Sequence, residues 1–173
     1  MKRCAALLLP VVFLLLTSCA FGTSKGNRYS SEEISKTIGV DVSYIETATI
    51  IDSHGGMGDG CAYITMTFYD DRCENDVSRS ELWHKLPLSD NLLKIVYGTV
   101  EDGHYIRPYI SFDDDKTPCI SYVEEGYYFF LDRHSKSKKP YDDSEIFDRS
   151  SYNLTVAIYD TQSDVMYYLE LDT

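Results

Sequence analysis

The chain has 173 residues, with 16 Lys and Arg against 28 Asp and Glu, a formal net charge of −12 and a pI near 4.6. That length suits one domain. The acidity argues against nucleic acid as a partner, because a phosphate backbone would be approached against repulsion.

The N-terminus reads MKRCAALLLPVVFLLLTSCAFG. Lys2 and Arg3 precede an uncharged apolar run over residues 5–16, broken only by Pro10. The run is shorter than the roughly 20 apolar residues of a spanning helix and matches the apolar region of a secretory signal peptide, residues 1–18. Leu16, Thr17, Ser18 and Cys19 then follow the order aliphatic, small, small, cysteine. This resembles the lipobox of bacterial lipoproteins. The resemblance implies cleavage before Cys19 and lipidation of its sulfur, with acyl chains such as palmitate. The protein would then be attached to the cell membrane on its extracytoplasmic face, since two or more acyl chains anchor stably where one is marginal. Ala20 is not the aspartate associated with inner-membrane retention in two-membrane bacteria. Loss of residues 1–18 leaves 14 basic against 28 acidic side chains, a net charge of −14. Such a charge keeps the domain soluble and off an anionic bilayer.

Residues 19–31, rich in Gly, Ser, Thr and Asn, predict a flexible tether with a reach on the order of 20 Å. A single domain over residues 32–173 follows. Ser30 or Ser31 caps a short helix ending at Ile38, with Glu32 and Glu33 in its first turn and Gly39 as its stop. Residues 42–52 and 61–69 are rich in Val, Ile, Thr and Tyr and read as a hairpin joined by the glycine-rich stretch DSHGGMGDG. Ala62, Ile64, Met66 and Phe68 alternate as the core face of its second strand. In SRSELWHKLPL, residues 78–88, Ser78 and Glu81 fit a capping box for a helix that Pro87 ends. Ser89 caps another, with Leu92, Leu93 and Val96 on one side and Gly98 as its stop. After a variable region over residues 99–118, residues 126–132 (GYYFFLD) predict an aromatic strand. Residues 151–160 and 164–172 form a closing hairpin about Thr161, Gln162 and Ser163. The fold class expected is α+β: a twisted, mainly antiparallel sheet with two or three short helices packed on one face.

Chemistry is harder to read. GGMGDG is neither a dinucleotide fingerprint nor a P-loop, and no helix follows it. Ser135–Lys138 fits S-x-x-K and Ser89-Asp90-Asn91 fits S-D-N, but in the wrong order and in too short a chain for a β-lactamase. No cofactor motif and no metal-ligand spacing is legible, and three adjacent acids at Asp113, Asp114 and Asp115 cannot converge on one ion from extended chain. Cys61, Cys73 and Cys119 allow three free thiols or one disulfide in three pairings. Two loops remain as candidate ligand-binding segments. In the first, His54 lies between Asp52 and Asp59, and a carboxylate beside a histidine fixes its tautomer. In the second, residues 132–144, Asp132, Arg133 and His134 precede Lys136, Lys138 and Lys139, a cluster suited to a phosphate, a carboxylate or an anionic wall polymer, with Arg133 as its bidentate group. Each loop has a plainer reading: a wide hairpin turn and a solvated charge run. His84 and His104 have no acidic neighbour in sequence and read as structural.

Taken together, DSHGG, WHKLPL, GYYFFLDRHSKS and RSSYNLTVAIYD are similar to bacterial surface lipoproteins of unknown function, a resemblance that implies no activity. The expected role is a non-catalytic binding or interaction domain whose partner is an envelope polymer or protein. The alternative is a small envelope hydrolase using His54 or His134 as base with neighbouring aspartates.

Overall fold

The structure is a computed structural model and describes residues 28–56, 58–112 and 117–173. The leader, the motif ending at Cys19, the tether up to residue 27 and the run at Asp113, Asp114 and Asp115 lie outside the described residues. Among the described residues, no helix is long and apolar enough to cross a membrane.

The described residues form three two-turn helices, one short 3-10 turn (Ile146–Asp148) and two sheets. Helix α1 (Ser31–Ile38) begins where the Ser30 hydroxyl accepts from the Glu33 N–H. It stops at Gly39, whose φ of 73° is the left-handed conformation that closes helices most cheaply in glycine. Strands β1 (Ile45–Asp52) and β2 (Gly60–Phe68) are the expected hairpin. Helix α3 (Asp90–Tyr97) is capped by Ser89 and stopped by Gly98, and β6 (Gly126–Asp132) is the aromatic strand. Strands β7 (Asn153–Asp160) and β8 (Val165–Asp172) make the C-terminal hairpin. Between these lie α2 (Arg72–Arg79), β3 (Trp83–Lys85) and the small hairpin of β4 (Thr99–Glu101) and β5 (His104–Ile106).

One helix is misplaced by the sequence pattern. The segment WHK is not helical but is strand β3, pairing Trp83 with Phe129 of β6. The helix lies one segment earlier, with Cys73 and Val77 four residues apart as its buried stripe, and Ser80 ends it in extended conformation. Burial overrides the local capping signal. The Trp83 ring packs 5.9 Å from Phe129 and its indole N–H donates to the Ile38 carbonyl at 2.9 Å, contacts that a helix there would not offer.

The main sheet runs β1-β2-β8-β7-β6-β3, antiparallel throughout. The α+β class holds, while the helices divide between the two faces. Ile34 and Ile38 of α1 and Cys73 and Val77 of α2 pack with Met66, Phe129, Ala157, Tyr159 and Tyr168. Leu92, Ile95 and Val96 of α3 pack with Phe130, Leu154, Val156, Ile158 and Leu169 on the opposite face. The reason is the position of β7 in the sheet. Thr155, Ala157 and Tyr159 are as completely buried as Leu154, Val156 and Ile158, so both faces need cover. The C-terminal hairpin is the dry centre of the sheet.

Cys61 and Cys73 are free thiols, and the Cys119 sulfur lies 3.2 Å from the Ile110 carbonyl oxygen. Burial pushes the Cys73 thiol up to about 12, so it behaves as a small apolar side chain.

Candidate functional site

One end of the sheet closes on a buried polar cluster. Along β8, Met166 and Tyr168 face α1 and α2, and the same alternation carries Glu170 and Asp172 onto that face, where both are almost wholly buried. Their cross-strand partners on β7 are Thr155 and Asn153. Buried carboxylates require charge partners or hydrogen bonds, and four segments supply them. Arg28, just before α1, places one guanidinium nitrogen 2.7 Å from Asp172 Oδ2 and 2.9 Å from Glu170 Oε2. Arg133, just after β6, donates to Asp172 Oδ1 at 2.9 Å and also reaches Thr155 and the Leu154 carbonyl. Asn153 adds a bond to Asp172 Oδ1, and the Tyr168 hydroxyl donates to Glu170 Oε1 at 2.6 Å.

The β1–β2 connection brings the fourth contribution. His54 folds over the sheet end with its side chain 4% exposed. Its Nδ1 lies 2.6 Å from Asp52 Oδ1, and the same carboxylate oxygen accepts from the His54 backbone N–H. Its Nε2 lies 3.2 Å from Asp172 Oδ2 but is not aligned for an N–H···O bond, and it has no hydrogen-bond partner. The last glycine of the loop makes this possible. Gly60 has φ +153°, and a Cβ there would sit 2.6 Å from His54 Cα. The His54 backbone therefore rests directly on Gly60, the residue paired with Asp172 across the sheet.

Electrostatics follow from this geometry. Burial alone would raise the Asp172 pKa, but the bonds from Arg28 and Asn153 and the charge of Arg133 outweigh it and hold the carboxyl below its usual range. Asp52 is likewise held low, its burial outweighed by the two bonds from His54. Burial and the neighbouring Glu170 charge push the Tyr29 and Tyr168 hydroxyls up.

Of the residues singled out by sequence, Asp52, His54 and Arg133 meet here, the last two on opposite oxygens of Asp172. Arg133 is thereby withdrawn from the role of anion-binding group in its own loop. Asp59 stays exposed on the β1–β2 connection, where its backbone carbonyl accepts from Gly55. Asp132 turns to Arg149 at 2.6 Å, and His134 accepts a backbone bond from Lys136, so His134 does not join His54. Asp132, Lys136, Lys138, Lys139 and Arg149 line a separate open cavity of about 260 Å³, with Asp142, Glu145 and Asp148 interleaved. Its lining holds four basic and four acidic residues, so its formal charge balances.

Sequence reasoning missed Arg28, Tyr29, Glu170 and Asp172. Arg28 falls within the stretch that composition assigns to the tether, yet it bonds to a residue 142 positions away. The acids of β8 look like the wet face of an amphipathic strand. The signal that could have found them is that the same register carries the buried Met166 and Tyr168.

A second feature lies at the sheet edge. Among the described residues, strand β1 is hydrogen-bonded on one side only, by β2. Its exposed residues come from both faces, with Ile50 49% and Ile51 45% exposed. The exposed tyrosines Tyr69, Tyr105, Tyr122 and Tyr141 come from separate segments of the chain, and two of them gather at Tyr97: the Tyr122 ring lies 5.2 Å from its ring and the Tyr105 hydroxyl donates to its carbonyl.

No protein-family model matches the chain, and neither a curated protein nor a solved structure matches it.

Proposed function

We propose that the chain is a lipid-anchored envelope protein, held on the extracytoplasmic face of the membrane through Cys19, whose domain binds a protein partner through the free edge of β1. The anchor rests on the sequence alone: Lys2 and Arg3, the short apolar run, and Leu16, Thr17 and Ser18 before Cys19. The binding role is carried by β1. Beyond the register shift between Ile45 and Thr47, β1 has an edge unpaired among the described residues and two isoleucines open to solvent, a template for strand addition. Charge chooses the occupant. Glu46 and Asp52 bracket the strand in a chain of net charge −12, so a second copy is repelled, and an extended segment bearing Lys or Arg beside alternating apolar residues is favoured.

The test uses the full chain in detergent micelles and a lysine-flanked octapeptide of alternating valine and threonine, followed by fluorescence anisotropy. Saturable binding that weakens with salt and falls at least about tenfold in Ile50→Lys supports the proposal. Absence of saturable binding, or equal binding by Ile50→Lys, rejects it. Anchoring is read separately: Cys19→Ser moves the protein from the membrane to the soluble fraction, and retention in the membrane argues against the lipid.

The hydrolase alternative has less support. Both nitrogens of His54 face carboxylates within a buried cluster, and Asp132 beside His134 is engaged by Arg149.

A further inference from the structure

The sheet-end cluster has a feature that an ordinary buried ion-pair network lacks. With Asp52 at 2.6 Å, the His54 Nδ1 proton is directed to a carboxylate, and in the neutral ring this leaves the lone pair on Nε2. That lone pair points into a buried space shared with Glu170 and Asp172, and it has no hydrogen-bond partner. One ligand atom from each of these three residues can be chosen so that all lie within 4.8 Å of one another. A nitrogen lone pair facing carboxylate oxygen is repulsive unless a proton or a metal cation lies between them. The cation now nearest is Arg28, whose guanidinium bridges Asp172 Oδ2 and Glu170 Oε2 but makes no bond to His54.

We propose that His54 Nε2, Glu170 and Asp172 form a binding site for a divalent transition cation of the zinc type, and that Arg28 is an internal cation competing for the same carboxylates. The donor set decides the class of metal: one imidazole nitrogen with two carboxylates suits zinc and its first-row neighbours, whereas calcium takes oxygen ligands alone. The Asp52–His54 pair is the outer carboxylate that orients a metal-binding histidine. Charge is consistent with the exchange. Asp52, Glu170 and Asp172 against Arg28 and Arg133 leave one negative charge when His54 is neutral, and a dication in place of Arg28 brings the cluster to neutrality. Exposure and bonding select Arg28 as the group displaced. Its side chain is 44% exposed and precedes α1, whereas Arg133 is 26% exposed and tied to β7 by two further bonds. Metal binding therefore frees the Arg28 side chain from the sheet end, while the Tyr29 hydroxyl stays 3.3 Å from Glu170 Oε2 and 3.4 Å from His54 Nδ1.

The experiment titrates zinc chloride into the full chain in detergent by calorimetry, for the wild type and for Arg28→Gln, His54→Gln and Lys139→Ala. One zinc per chain is expected. Arg28→Gln should bind at least about tenfold tighter, because its competitor is gone, and His54→Gln at least about tenfold weaker. Lys139→Ala should match wild type. A measurement on the wild type guards against misfolded variants: in nitrogen-resolved NMR of the histidine rings, zinc should shift Nε2 of His54 first and leave His84, His104 and His134 unmoved. The proposal fails if wild type and Arg28→Gln both bind no zinc, if Arg28→Gln binds no tighter than wild type, or if the first ring to shift is not His54.

Discussion

Asp172 and Asp132 are both almost wholly buried carboxylates held by arginine, yet they end in different states. Asp132 is held at one oxygen: its Oδ1 accepts from Arg149 at 2.6 Å and from the His134 backbone N–H at 3.1 Å, and neither bond leaves a neighbouring buried polar atom without a partner. Around Asp172 two arginines and an asparagine converge, and His54 Nε2 is still left without a hydrogen bond. A carboxylate satisfied one-to-one is structural, closing the end of β6 against the segment before β7. A carboxylate crowded by cations beside an unsatisfied imidazole has capacity for a further ligand. The contrast shows that the useful signal in a buried ionic cluster is the polar atom left over rather than the number of charges.

The comparison can be broken by mutation. The largest effect expected is from Asp172→Asn, which leaves Arg133 partly buried with only the more distant Glu170, at 3.8 Å, as counter-charge; removing one partner of a buried pair costs about 3–5 kcal/mol. The lower part of that range applies, because Arg28 is well exposed and its share is screened by solvent. Asp132→Asn disturbs one arginine and one backbone bond and should cost about 1–3 kcal/mol. Denaturant midpoints measure both, and equal losses would remove the distinction between the two sites.

Gly60→Ala comes next. The added Cβ meets the His54 backbone at 2.6 Å in a conformation that disfavours side chains, for a loss of about 1–3 kcal/mol. It should also weaken zinc binding, because His54 can no longer rest on the strand. Unchanged stability and zinc affinity in Gly60→Ala would show that the loop is not held in place by Gly60.

The smallest effect belongs to Lys139→Ala. Its pair with Asp142 is 3.5 Å long and open to water on both sides, so no measurable change in the midpoint is expected. A clear loss there would mean that the basic loop is more than a solvated surface.

Much of the fold was legible because the deciding signals are local. Ser30 and Gly39, and Ser89 and Gly98, bound their helices as their cap chemistry predicts, and the alternation of β2 named its core residues. The errors share one cause. WHK became a strand and β7 became buried on both faces because of what packs against them, which residue periodicity alone does not report. The cluster was legible by halves. Asp52 and His54 are two residues apart and Arg133 was noted, but Arg28, Glu170 and Asp172 reach them only through the order β1-β2-β8-β7-β6. The stretch DSHGGMGDG looks like a flexible turn because of its glycines. One of them, Gly60, is where the histidine is held most closely.

The most direct test of the metal assignment is anomalous diffraction from crystals of the protein grown with zinc. The account predicts a zinc peak about 2.0–2.2 Å from His54 Nε2 and from carboxylate oxygens of Glu170 and Asp172, with the Arg28 guanidinium withdrawn from both acids. Arg28 still bridging Asp172 Oδ2 and Glu170 Oε2, with no zinc beside His54, would contradict it.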